Sequence, residues 1–219
     1  MKNKTTLYHF VLDNSGSMQD CIEETVKGFN SQLETIKSLQ KELPNQNFEV
    51  SLTLFNKRVM HVYSKVSVPD FKPLSIFDYN PQGSTSLLDA IGKSINKIRI
   101  ANDAKILNNE MSIVMIILTD GMENSSRQFT FRQISETIAT LEETNKWVFT
   151  FLGADIDAFE ISNMLNIRNE NVIAFNKENM DNMMNNISRG IVYYSLDLET
   201  NDGNKKDFFD FINDKDQRE

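Results

Sequence analysis

Apolar residues recur along this chain in two rhythms. Residues 5–12 (TTLYHFVL) end in an unbroken apolar run and read as a strand covered on both faces. From residue 19 to 42 the rhythm lengthens. Ile22, Val26, Phe29, Leu33 and Ile36 fall at alternating steps of four and three, the buried stripe of a helix that Pro44 and Asn45 end. Phe48, Val50, Leu52 and Leu54 then alternate with polar neighbours, a strand over 48–55. Asn56-Lys57 is a short polar break before a second extended run, Arg58 to Val66. So short a connection predicts a hairpin, with the second arm antiparallel and at the sheet edge.

Residues 69–83 carry Pro69, Pro73, Pro81 and Gly83 with Phe71, Phe77 and Tyr79 between them, a surface loop pinned by aromatics. Ser84-Thr85-Ser86 is placed to cap a helix running to about 107, with Leu87, Leu88, Ile91, Ile95 and Ile98 inward. MSIVMIIL, 111–118, is the most apolar run and reads as a second central strand. A helix over 130–144, a strand over 147–152 with Gly153-Ala154-Asp155 as its exit loop, a short helix over 156–165, a short strand over 171–175 and a helix over 179–194 follow. Strand and helix in alternation predict an α/β domain: a mostly parallel sheet with helices on both faces. Beyond residue 196 the character changes. We divide the chain into a domain over 1–196 and an acidic tail over 197–219, whose aromatic patch, Phe208-Phe209-Asp210-Phe211-Ile212, either folds back on the core or stays mobile.

Composition narrows the function. The chain has 219 residues and a formal net charge of -8, which disfavours a duplex nucleic-acid binder, since that role wants a basic face. A chain of this length buries a core without metal or disulfide staples, so any metal is functional rather than structural. One cysteine, Cys21, excludes an intrachain disulfide and fits a reducing compartment. The apolar run before Asp13 is too short for a signal segment or membrane span. These readings predict a cytoplasmic protein that does not enter a membrane.

The candidate chemistry lies where apolar runs end. Asp13-Asn14-Ser15-Gly16-Ser17 follows the first strand, Thr85 opens a helix, and Asp120 follows the most apolar strand in Thr119-Asp120-Gly121. In an open parallel sheet, ligands bind beyond the C-terminal ends of strands, where strand order reverses. If the strands ending at Asp13 and Asp120 are neighbours there, the five side chains converge. All offer hard oxygen atoms, the donors that Mg²⁺ prefers. Gly16 is the residue expected to let the first loop turn sharply.

The Asp13-x-Ser15-x-Ser17 motif, a later Gly-x-Thr85 and an acid at Asp120 after a central strand resemble the metal ion-dependent adhesion site of the von Willebrand factor A domain, over roughly residues 5–195. The resemblance implies a doubly wound sheet of order 3-2-1-4-5-6 with one antiparallel edge strand. It implies that Ser15 and Ser17 bind a Mg²⁺ (or Mn²⁺) ion directly, and that Thr85 does so directly or through water. Asp13 and Asp120 then hold metal-bound water or ligate directly. One coordination position stays open for an Asp or Glu of a protein partner, so the function implied is a non-enzymatic, cation-dependent protein-binding module. An acidic chain repels an acidic partner at long range, so the partner expected is neutral or basic overall with one local carboxylate.

Other readings remain open at this point. Asp and Ser are also ordinary turn and helix-cap residues. An Mg²⁺-dependent phosphohydrolase of the haloacid dehalogenase type would also place acids after strands, but it needs a second Asp two positions after the first, where this chain has Ser15. A scaffold protein would use another surface, the aromatic loop 69–83 or the patch at 208–212. Glu123 shares the loop of Asp120 and is placed to reach the metal rim. Cys21 is either a stabilised thiolate in a first helical turn or a small buried side chain. His9 and His61 lack Cys or His neighbours at zinc-ligand spacing.

Overall fold

Every second residue of the first strand is claimed by a different core. In β1 (Lys4–Asp13), Tyr8, Phe10 and Leu12 point to one face of the sheet, while Leu7 and Val11 point to the other, and all are buried. A strand that is apolar on both sides is stable only under two helical layers. The computed structural model describes residues 4–154, 156–200 and 207–211, and supplies those layers.

Among these residues one sheet forms from β1, β2 (Gln46–Phe55), β3 (Val59–Ser67), β4 (Met111–Thr119), β5 (Trp147–Ala154) and β6 (Val172–Phe175), in the order β3-β2-β1-β4-β5-β6. All neighbours are parallel except β2 and β3, the hairpin at the edge. Five α-helices flank it: α1 (Ile22–Glu42), α2 (Leu87–Leu107), α3 (Phe131–Glu143), α4 (Ala158–Met164) and α5 (Met180–Thr200). Helices α1 and α5 cover one face and α2, α3 and α4 the other. The expected doubly wound order is the observed one.

The boundaries shift in two instructive places. The helix expected from residue 19 starts as a 3-10 turn, Gly16–Cys21, and becomes α-helical at Ile22. The strand expected to end at 152 continues through Gly153 and Ala154, because these two residues pair with Ala174 and Phe175 of β6.

The strands β1 and β4 lie side by side, with Leu12 opposite Leu118, so Asp13 and Asp120 both emerge at the same C-terminal edge. The chain leaves β1 toward α1 on one face and leaves β4 toward α3 on the other, and the crevice between them is the switch point of the sheet.

Of the aromatic surfaces considered for a scaffold, most are core. Phe71 and Tyr79 are buried, and only Phe77 of that loop stands out, at 90% exposure. Phe208 and Phe209 are buried in the core beneath α5, and the Phe208 amide donates to Asn171 Oδ1 at 2.6 Å. Ile212, the last member of that patch, lies outside the described residues. No helix among the described residues is long and apolar enough to cross a membrane.

Candidate metal centre

Each loop at the crevice is held by backbone and buried side-chain contacts. The Tyr79 hydroxyl, itself buried, donates to the Asp13 carbonyl at 2.5 Å. The Asn14 amide donates to Phe55 O at 2.6 Å, and the Gln82 amide donates to Asn14 O at 2.9 Å. Gly16 donates through its amide to Gly83 O at 2.9 Å, which docks the Thr85 loop on the Asp13 turn. The left-handed backbone conformation that glycine permits occurs at Gly83, with φ 78°, rather than at Gly16, where a side chain would meet nothing closer than 3.5 Å. The sharp turn assigned to Gly16 therefore belongs to its docking partner.

The five candidates come together. Asp13 is fully buried, and its Oδ1 accepts from the Ser15 amide at 2.7 Å. Its Oδ2 accepts from the Thr119 hydroxyl at 2.5 Å. The Ser15 and Ser17 hydroxyl oxygens are 3.1 Å apart, and Ser17 Oγ donates to Asp120 Oδ1 at 2.5 Å. Thr85 Oγ1 faces them across a gap beside Gly121. A methyl carbon at Gly121 would stand 2.8 Å from Thr85 Oγ1, 3.5 Å from Ser17 Oγ and 3.6 Å from Asp13 Oδ2. That point is a cradle on the Gly121 loop, lined by oxygens from two further loops, and the missing Cβ keeps it open.

Such a cradle suits a small hard cation. Every donor is oxygen, two of the side chains are carboxylates, and Mg²⁺ takes about six oxygens at roughly 2.0–2.1 Å. Among the described residues no cluster of three or more His, Cys, Asp or Glu side chains is arranged to hold a metal, so a cation here would depend on hydroxyls.

The electrostatics fit that need. Burial pushes the Asp13 carboxyl up to about 6, against the hydrogen bonds from Thr119 and Ser15 that pull it down; the charge of Asp120 adds to the rise. Lys177 sits at the rim, in the 3-10 turn Lys177–Asn179 before α5. Its ammonium is 2.6 Å from Asp120 Oδ2 and 2.8 Å from Asp20 Oδ1. Burial pulls its basicity down, but the bonds to Asp120 and Asp20 outweigh this and hold it above the ordinary lysine value.

Some assignments change. Glu123 does not reach the rim: its carboxylate accepts from the Leu88, Ser125 and Ser126 amides at 3.0, 2.9 and 2.7 Å. The start of α2 is therefore capped by Glu123 and by Ser126 Oγ, which accepts from the Asp89 amide at 3.0 Å. Ser86 makes no side-chain cap; its hydroxyl donates to Asn56 O. Asn124 Oδ1 accepts from the Thr85 amide at 2.9 Å and so fixes the height of Thr85. Cys21 is a buried thiol, pushed up to about 11 by burial, and not a stabilised thiolate. His9 and His61 both bond Thr53 Oγ1, at 3.2 and 2.9 Å, on the far side of the sheet from α1. Thr119, Tyr79 and Lys177 were not foreseen as parts of the site; Thr119 stood beside Asp120 and Tyr79 among the aromatics expected to pin the 69–83 loop, whereas Lys177 carried no sequence signal.

Comparison with known proteins agrees with this fold. A family model described as von Willebrand factor type A domain matches residues 9–189. No curated protein sequence matches. Among solved structures, proximal thread matrix protein 1 from the mussel byssus, with a zinc-occupied metal ion-dependent adhesion site, superposes with TM-score 0.57 at 14% identity over 86% of this chain and 46% of its own. The pilus adhesin SpaC from Lactobacillus rhamnosus GG, in an open conformation, gives TM-score 0.63 at 14% identity over 88% of this chain and 30% of its own. The corresponding domain of the pili tip protein Mfa5 from Porphyromonas gingivalis gives 0.59 at 10% identity over 88% and 96%. The chain thus spans about half the length of the byssus protein, 46%, and nearly all of the isolated Mfa5 domain. At these identities the likeness is one of fold.

Proposed function

The chain belongs to the von Willebrand factor type A domain family, generally non-enzymatic protein-interaction modules that typically take a divalent metal, and from that premise we propose that it binds a protein partner through a Mg²⁺ or Mn²⁺ ion. In this reading Ser15, Ser17 and Thr85 offer hydroxyl oxygens to the ion, and Asp13 and Asp120 supply its charge balance. An Asp or Glu of the partner completes the coordination sphere. The observation that carries the reading is the gap beside Gly121, ringed by Thr85, Ser17 and Asp13 oxygens.

When bound, the ion supplies a Lewis-acidic position that selects a carboxylate over neutral groups. The chain does the rest. Tyr79 and Gly83 hold the first two loops in register. Thr119 and the Ser15 amide orient Asp13 and favour its ionised form, partly offsetting its burial. Neutral hydroxyl donors leave only two carboxylates against a divalent charge, so the ion keeps its attraction for a third. The net charge of -8 favours a partner that is neutral or basic overall and carries one local acid.

Catalysis is not part of this proposal. The position two after Asp13, where a phosphohydrolase of the haloacid dehalogenase type needs its acid, is Ser15, so no turnover of an aryl phosphate with Mg²⁺ is expected. We place the chain in the cytoplasm, a reading supported by its one cysteine, which is buried as the thiol. The division expected at residue 196 moves to the end of α5 at Thr200, and we take the segment after it to support the core rather than the binding face.

The test is calorimetry with Mg²⁺ on the wild-type chain and Asp13→Ala, paired with pull-downs from the native host with and without a chelator. Metal uptake lost in the variant, with the fold intact, supports the reading. Unchanged metal affinity removes it.

A further inference from the structure

Lys177 reaches the candidate centre from beyond the edge strand β6, at the same C-terminal edge of the sheet. It follows β6, whereas Asp120 follows β4 and Ser17 follows β1. Its ammonium contacts three oxygens: Asp120 Oδ2 at 2.6 Å, Asp20 Oδ1 at 2.8 Å, and the Ser17 carbonyl, to which it donates at 2.8 Å. The side chain is 18% exposed, and that of Asp120 is 1% exposed. Both oxygens of Asp120 are therefore engaged, Oδ1 by the Ser17 hydroxyl and Oδ2 by a fixed positive charge.

We propose that Lys177 is a tethered counter-cation that competes with the divalent ion for Asp120 and thereby sets the affinity of the centre. The inference rests on the metal reading above. Two carboxylates balance a divalent ion, but an ammonium on Asp120 leaves only Asp13 uncompensated. Asp20 does not restore the difference, because its side chain is 68% exposed and solvent screens it. A divalent ion that shared Asp120 with this ammonium would be repelled by it, and for charges this close the repulsion is worth about tenfold in affinity even at the permittivity of water. Binding of the ion therefore loosens Lys177, and loss of the Lys177 charge tightens the ion. The centre is charge-compensated at rest and is loaded only where the cation is abundant enough to displace its own side chain.

Two measurements test this. In calorimetric titrations with Mg²⁺, Lys177→Met should bind about tenfold more tightly than wild type, and Lys177→Arg, which keeps the charge, should stay near wild type. In the unaltered protein, reductive methylation read by mass spectrometry should label Lys177 more in Mg²⁺ than in chelator, with the exposed Lys27 as internal reference. Asp13→Ala should abolish that increase. Equal or weaker metal binding by Lys177→Met overturns the proposal and leaves the metal reading standing, as does labelling of Lys177 that Mg²⁺ leaves unchanged or lowers while calorimetry shows uptake. No uptake by wild type, Lys177→Met or Lys177→Arg overturns both.

Discussion

The Thr119 hydroxyl donates to Asp13 Oδ2 at 2.5 Å and so ties the end of β4 to the end of β1. Both groups are fully buried. Thr119 Oγ1 also accepts from the Gly121 amide at 3.1 Å, which places the next turn. The bond does two things at once: it closes the two central strands at the crevice, and it favours the ionised form of an acid that burial pushes up.

Thr119→Val keeps the shape and deletes the hydroxyl. A buried carboxylate oxygen left without its donor costs about 1–3 kcal/mol. We expect a loss of that size in urea unfolding and, because Asp13 is then harder to ionise, weaker Mg²⁺ uptake at neutral pH. A variant that matches wild type in both experiments would show that the Thr119 bond is incidental.

Glu123 acts from the rear of the site. It accepts from the Leu88 amide at the start of α2 and from the Ser125 and Ser126 amides, while its neighbour Asn124 holds Thr85. Glu123→Ala should cost about 1–2 kcal/mol, the usual range for a lost helix cap, with a lower melting temperature by circular dichroism. Metal uptake should weaken with it, through Thr85. Stability unchanged within error would contradict the capping role.

What the sequence made legible was the part carried by strand ends. Phe10 to Leu12 and Ile113 to Leu118 are apolar without interruption, and such runs end abruptly at the C-terminal edge of the sheet, so Asp13 and Asp120 stood out. Ser15, Ser17 and Thr85 followed from their motif. Lys177 could not be seen this way. It lies in Asn176-Lys177-Glu178-Asn179, a polar stretch with the composition of any solvated loop, and its value comes from where β6, only four residues long, happens to end. Glu123 was misread for the converse reason: an acid near the motif looks like a ligand until the unpaired amides of a helix start claim it.

His9 gives a pH dependence with a definite sign. It is buried between Ser51, whose hydroxyl lies 2.6 Å from Nδ1, and Thr53. Burial, then the nearby charges of His61 and Lys97, pull it down to about 3. The unfolded chain binds a proton near pH 6.5 that the folded chain refuses until about 3, so the unfolded state holds more protons between those values and stability falls as pH falls. Between pH 7.5 and 5.0 this single group should remove about 2 kcal/mol. Urea titrations of wild type and His9→Gln at both pH values isolate it. The variant should lose about 2 kcal/mol less than wild type over the same interval; an equal loss would assign the acid sensitivity elsewhere.

The segment beyond α5 is expected to matter for stability and not for binding. Phe208 is fully buried against Tyr194 of α5, with ring centroids 6.2 Å apart. Phe208→Ala should therefore cost about 3–5 kcal/mol in urea unfolding. Mg²⁺ uptake by the folded fraction should be unchanged, since the ring lies under α5 and away from the crevice. A cost near zero would mean that this packing is dispensable.

Gly121→Ala is the sharpest test of the cradle, because it adds one methyl group and no charge. The backbone at Gly121 is outside the left-handed region, so alanine meets no conformational penalty there. What it meets is Thr85 Oγ1 at 2.8 Å, closer than a carbon and an oxygen rest, with Ser17 Oγ and Asp13 Oδ2 at 3.5 and 3.6 Å. Thr85 must turn its hydroxyl away or the loop must shift by a few tenths of an ångström, and either way the methyl occupies space the oxygens share. The cost to folding is that of mild overpacking, about 1–3 kcal/mol. The cost to the site is larger, since an octahedral Mg²⁺ tolerates little departure from its oxygen distances. We expect a folded protein by circular dichroism whose melting temperature no longer rises with Mg²⁺, whereas that of wild type does. A wild-type thermal response to Mg²⁺ in Gly121→Ala would put the cation somewhere other than beside Gly121, and with it the roles assigned to Thr85 and Ser17.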